Sequence, residues 1–153
     1  MLLEKYSVRI SEDCMSYYFD SIGPKGVIKK VVTYKKSSRW AGFDLYNLSF
    51  GDWDDDKKEV DDSMVSDNGD RDKVLATVAL TIMEFTKKYG RLAISAKGVT
   101  PVRTRLYQMA INANLEEIAS HFFVYGFYNG DIWSFKPGIN YEWFLVTKKN
   151  PYL

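Results

Sequence analysis

The sequence predicts an α+β fold, a mainly antiparallel β-sheet with two principal helices packed on it. Three observations point there. Strand-like stretches occupy both ends of the chain, and a helix–strand–helix run fills the middle. Two turn signals, Gly23-Pro24-Lys25-Gly26 and Asn129-Gly130, each join two apolar runs. Aromatic residues make up 16% of the chain, with 11 Tyr and 9 Phe, and such side chains favour strands.

Taken in order, Tyr6, Val8 and Ile10 alternate as in a short first strand. Residues 15–22 and 27–34 read as the two arms of a hairpin around the Pro-Gly turn, and 43–50 as a further strand carrying Leu45, Tyr46, Leu48 and Phe50. Residues 52–69 read as an acidic loop, long for a compact domain, a length that marks functional or disordered segments. Asp70 stands where an N-cap belongs. Residues 71–89 carry Val74, Leu75, Val78, Ala79, Ile82, Met83 and Phe85 at three- and four-residue steps, one apolar helical stripe. Lys87 and Lys88 suit its C-terminal dipole and Gly90 its stop. Residues 91–96 alternate as a short strand.

Thr100-Pro101 is an N-cap followed by proline at the first helical position, opening a second helix with Leu106, Met109, Ala110 and Ala113. Asn114 with Glu117 resembles a capping box, which predicts a break near Asn112. Residues 122–128 and 131–135 flank Asn129-Gly130, the pair that a type I′ turn prefers. Pro137-Gly138 turns the chain again, and 141–148 form a last strand apolar on both faces.

The chain has 153 residues, 46% of them apolar, which fits a single domain over 1–153 with a real core. Cys14 is the lone cysteine, so no internal disulfide forms, as in a reducing compartment. The start lacks an apolar secretion signal, and no apolar run reaches the roughly 18 residues of a membrane span, so a cytoplasmic protein off the membrane is expected. Net charge is only +1, yet charge is segregated along the sequence. Residues 21–43 hold Lys25, Lys29, Lys30, Lys35, Lys36 and Arg39 and no acid, whereas 51–70 are acidic with only Lys57 and Lys58 as bases. Such blocks either meet internally or make a basic surface beside an acidic one.

Five segments together carry a resemblance: YYFDSIGPKGVIKKVVTY (17–34), NLSFGD (47–52), VSDNGDRDKVLATVA (65–79), RTRLYQ (103–108) and NYEWFLVTKK (140–149). In order and spacing they resemble a family of small proteins of unknown function common in Bacteroidetes genomes. The resemblance implies a bacterial, cytoplasmic origin and implies no reaction. Two positions depart from that pattern: Val99 stands where the family has Ser between Gly98 and Thr100, and Gln108 stands where it has a base.

Four groups of residues carry candidate chemistry. The turn Lys97-Gly98-Val99-Thr100-Pro101 leads into a helix whose start would suit a phosphate or carboxylate, with Arg103 and Arg105 following. Those two arginines lie about 200° apart around a helix, so they do not both face one ligand. Against this stands a plain capped helix with solvated arginines. Asp67, Asn68, Asp70 and Arg71 form a polar cluster at the first helix start, which Asx-turns and caps alone would explain. The block Lys25, Lys29, Lys30, Lys35, Lys36 and Arg39, with Tyr34, Trp40 and the aromatics Tyr125, Phe127, Trp133 and Phe135, could track a nucleic-acid backbone and stack bases. The plainer reading is lysines guarding an edge strand and aromatics packing a core. Asp52, Asp54 and Asp56 have the opening spacing of a calcium loop, but Lys57 and Ser63 occupy positions that require Gly and Glu. His121 is the sole histidine, with no companion for a zinc site. No metal and no cofactor are expected.

Three functions remain open. The first is a nucleic-acid-interacting protein of a bacterial toxin–antitoxin or defence module, with RNA or single-stranded DNA as partner. The second is a protein-interaction module, and the third an enzyme acting on a phosphorylated small molecule. A sequence pI near 7.7 lacks the overall basicity usual for the first.

Overall fold

The computed structural model describes residues 4–61, 67–89 and 91–149. Its elements run β1 (Arg9–Ile10), β2 (Ser16–Gly23), β3 (Gly26–Trp40), β4 (Phe43–Asp54), β5 (Glu59–Asp61), α1 (Arg71–Lys88), β6 (Leu92–Ala96), α2 (Pro101–Ala113), α3 (Leu115–His121), β7 (Phe122–Tyr128), β8 (Asp131–Ser134) and β9 (Trp143–Lys148). All strands join one sheet in the order β1-β2-β3-β4-β6-β9-β7-β8, with β5 also on β4. Neighbours are antiparallel except β4 and β6, which are parallel and joined through β5 and α1. The α+β class is therefore the observed one. Among the described residues no helix is long and apolar enough to cross a membrane.

Turn chemistry sets the hairpins. Gly23 pairs with Gly26, and Gly26 takes the positive φ of 91° that closes the β2–β3 turn. Asn129 and Gly130, at φ 52° and 82°, give β7–β8 the left-handed pair of a type I′ turn. A third such turn joins β3 to β4 through Ala41 and Gly42, at φ 49° and 85°. Alanine seldom adopts this conformation, so the sequence did not signal it and both strands run past the expected 27–34 and 43–50.

The expected acidic loop over 52–69 is in part strand. Asp52, Trp53 and Asp54 pair with Asp61, Val60 and Glu59. The Asp54 carboxylate accepts the backbone N–H groups of Asp56 and Lys57, which nucleates the turn. The first strand shrinks to Arg9–Ile10, because Tyr6 leaves the ladder: its N–H donates to the Thr77 hydroxyl and its ring stacks on Phe19 at 5.7 Å. The second helix breaks at Asn114, two residues after the predicted point. No capping box forms there: the Asn114 amide donates back to the Ala110 carbonyl at 2.8 Å and closes α2. Gly90, the expected helix stop, lies outside the described residues.

Alternation along the strands divides the side chains between two faces. One face, carrying Tyr17, Phe19, Val32, Tyr34, Tyr46, Leu48, Phe50, Ile94, Phe144 and Val146, packs under all three helices and makes the core with Val78, Ile82, Phe85, Ile111 and Ile118. Phe85 is its centre, stacked on Tyr34 at 4.1 Å and met by Tyr46 and Tyr89 at 5.0 Å. Burial pushes the Tyr34 phenol far above its ordinary value, against its hydrogen bond with Thr81. Among the described residues no helix packs on the other face.

Candidate nucleic-acid interface

Registers place Arg9, Tyr18, Lys29, Val31, Thr33, Lys35, Asn47, Ser49, Trp53, Ser95, Trp143, Leu145, Tyr125 and Phe127 on this open face. Val31 and Leu145 are buried among taller neighbours, and the rings beside them are half-exposed. Between the aromatic ends runs a hydroxyl and amide strip, in which the Ser95 hydroxyl donates to the Asn47 side-chain Oδ1. Lys29 holds its ammonium 5.5 Å from the Tyr18 ring and 5.6 Å from the Trp53 ring. Arg91 lies 4.7 Å over Phe43, and Lys149 lies 5.5 Å over Phe123, which is 50% exposed. Cations over rings keep their charge toward solvent while the methylene stem is covered.

Carboxylates are sorted to the opposite face. Asp44, Asp52, Asp54, Glu59 and Asp61 alternate with the open-face residues of β4 and β5 and so lie on the helix side. Cations on that side meet them: Lys30 pairs with Asp52 at 2.5 Å and Lys36 with Asp44 at 3.8 Å. Among the described strand residues of the open face the carboxylate is Asp20, which Arg9 already neutralises at 3.1 Å.

The basic block therefore does not act as one patch. Lys30, 1% exposed, is withdrawn from any nucleic-acid surface by its burial against Asp52. Lys36 and Arg39 share the helix side, Arg39 donating to the Gly42 carbonyl at 3.2 Å. Lys25 is exposed at the β2–β3 turn, about 36 Å from Lys36 along an extended strand. Lys29 and Lys35 remain on the open face. The lysines do not guard an edge as a whole, since β3 lies between β2 and β4; only beyond Thr33 does β4 alone flank it. Of the expected aromatics, Tyr125 and Phe127 pave the open face. Tyr34 is core, and Trp133 and Phe135 lie toward the helix side, where Phe135 packs on Tyr141 and Phe144. Tyr18, Trp53, Arg91 and Lys149 were missed. The parity of Lys29 with Trp53 across a hairpin could have found Trp53, had its segment been read as strand.

The polar cluster at the start of α1 is mostly structural. Asn68, 1% exposed, donates to the Ser21 and Gly26 carbonyls and accepts the Lys25 N–H, clamping the end of the β2–β3 hairpin. Asp70 occupies the N-cap position without capping: its Oδ2 accepts the hydroxyls of Tyr6 and Ser21, each at 2.5 Å. Partial burial and then that carboxylate hold the Tyr6 phenol above its ordinary value. Asp67 accepts the Gly69 N–H in an Asx turn, and Arg71 is exposed.

The turn over 97–101 caps itself. Thr100 accepts the Arg103 N–H, and the Gly98 N–H donates to the Thr104 hydroxyl at 3.0 Å. Gly98 lies so close to the first turn that a Cβ there would stand 2.4 Å from the Thr104 nitrogen. Gly98 thus packs directly on the first turn of α2, where the N–H groups of Arg103 and Thr104 are satisfied by the Thr100 side chain and carbonyl. Lys97 and Arg105 are exposed around a cleft of about 540 Å³, while Arg103 turns inward and is 4% exposed. Gln108 explains its own departure from a base: its amide donates to the Ile139 carbonyl and accepts the Tyr141 N–H, a double role no cation can fill.

One family model matches residues 2–149, nearly the whole chain. The chain belongs to the Family of unknown function (DUF6934). No curated protein and no solved structure matches it. In this DUF6934 chain the remaining single candidates stand apart from the open face. His121 is exposed at the end of α3, where its carbonyl accepts the Lys149 N–H. Cys14 is half-buried in the turn before β2, at φ 60°.

Proposed function

We propose that this DUF6934 chain binds single-stranded nucleic acid, RNA foremost, across the open face of its sheet. One observation carries the reading: on the uncovered face cations sit over aromatic rings, while the carboxylates of β4 and β5 lie on the other side. Bases stack on rings and phosphates seek cations, so a face built of both fits a single strand. The hydroxyl and amide strip of Thr33, Asn47, Ser49 and Ser95 offers partners for base edges and 2′-hydroxyls. The setting of this reading is a bacterial cytoplasm, in the Bacteroidetes, within a toxin–antitoxin or defence module.

The test is the affinity of the purified chain for labelled single-stranded RNA and DNA at two salt concentrations. Binding is expected to weaken with salt by about 0.7 log units per log unit of salt for each phosphate contacted. Trp53→Ala is expected to weaken it about 10- to 100-fold, the worth of one stacked base. Lys29→Ala should weaken it and reduce the salt slope, and Lys36→Ala should change neither. Absence of binding at low salt would refute the reading.

A further inference from the structure

We propose that the open face grips its strand at two separate points, so that the partner is an unpaired stretch of about six nucleotides stacked at both ends, not a mononucleotide and not a duplex. The proposal rests on the nucleic-acid reading above and adds the shape of the ligand. The rings of the open face fall into two clusters. In the first, Tyr18 of β2 meets Trp53 of β4 edge to face at 5.6 Å, and the Lys29 ammonium lies over both. In the second, Phe127 of β7 lies nearly parallel to Trp143 of β9, at 5.2 Å and 16°. Each of these rings is half-buried, held by its neighbours while part of its surface stays open to a base.

The registers give the span between the clusters. Asn47 pairs with Ser95 and Ser95 with Leu145, so these residues lie in one row across β4, β6 and β9. β4 and β6 run parallel and β9 runs against them, so Trp143 lies level with Ser49, four residues short of Trp53 along β4. Four residues of strand make about 13 Å and two strand spacings about 10 Å, which sets the two tryptophans about 17 Å apart. The residues that β4 and β6 place on this face near the gap, Gly51, Ser49, Asn47 and Ser95, carry no ring. A stacked strand advances about 3.4 Å per nucleotide, so a dinucleotide reaches one cluster and about five steps bridge both. A duplex keeps its bases stacked on one another and withholds them from the rings. Two modest contacts joined by one strand reinforce each other, because the second forms at the high effective concentration the first imposes.

Titration of the whole chain at low salt with labelled adenosine oligoribonucleotides tests the proposal. The hexanucleotide is expected to bind about 100-fold tighter than the trinucleotide. Abasic ligands then hold length and charge constant. A hexanucleotide without its two central bases should bind within about threefold of the intact one, because those bases stack on no ring, whereas loss of either terminal base should weaken it about 10-fold. Trp53→Ala should make binding insensitive to one terminal base and Trp143→Ala insensitive to the other, which also fixes the direction of the strand. The abasic ligands probe the unaltered protein, so the claim is tested whether or not each variant folds. Equal losses from central and terminal bases, no gain from tri- to hexanucleotide, or both variants made insensitive to the same end would overturn the two-point grip and leave nucleic-acid binding standing. No binding of any oligonucleotide would overturn both.

Discussion

The two faces of the sheet use the same residue types for opposite ends. On the helix side, Tyr34 and Tyr46 close around Phe85, and Lys30 and Lys36 meet Asp52 and Asp44. On the open side, Tyr18 and Trp53 stand half-exposed around Lys29, and no carboxylate lies within ion-pair distance of Lys29 or Lys35 among the described residues. The difference teaches that the near-neutral total charge is a sum over two unlike surfaces. Asp52 and Asp44 of β4 neutralise Lys30 and Lys36 on the helix side, while on the open face Asp20 neutralises Arg9 and, among the described residues, Lys29 and Lys35 have no ion-pair partner. A pI near neutrality is therefore compatible with a local electropositive, aromatic platform.

The comparison is broken most severely at the covered face. Phe85→Ala removes a fully buried ring from the centre of the aromatic stack and is expected to cost about 3–5 kcal/mol in denaturant melts. Trp53→Ala should cost far less stability while abolishing most nucleic-acid affinity; equal stability losses would erase the distinction between the faces.

Alkaline pH gives a finer probe. The folded-state pKa of Tyr34 is raised by burial above an unfolded value of about 10. Its contribution is thus fully present below about pH 10 and is lost as pH rises beyond it, because the unfolded chain then releases a proton the folded chain retains. Tyr34→Phe is expected to lower the melting temperature slightly at neutral pH, through the lost Thr81 hydrogen bond, and to flatten the alkaline decline. An unchanged alkaline slope would show that another group governs it. The smallest effect is expected at the β3–β4 turn, where Ala41→Gly relieves a left-handed alanine and should stabilise by about 1 kcal/mol.

Much of the fold was legible because its signals are local. The Asn129-Gly130 and Pro24 turns, the apolar stripe of α1 and the Thr100-Pro101 helix start depend on near neighbours alone. What was illegible depends on pairing across the chain. Trp53 sat in an acidic segment whose strand character comes from β4 continuing into β5, so its company with Lys29 was hidden. Lys30 and Lys29 are adjacent in sequence and chemically alike, and only the pleat sends one into the core and the other to the open face. Asp70 looked like a cap, yet Tyr6 and Ser21 claim its carboxylate from elements remote in sequence.

The most direct test of the two-face account is to follow backbone amide chemical shifts of the isotope-labelled chain while a short single-stranded RNA is titrated at low salt. The account predicts shifts concentrated at Tyr18, Lys29, Thr33, Asn47, Trp53, Ser95, Tyr125 and Trp143, with α1 and α3 unmoved. Shifts confined to the helices, or none at all, would contradict it.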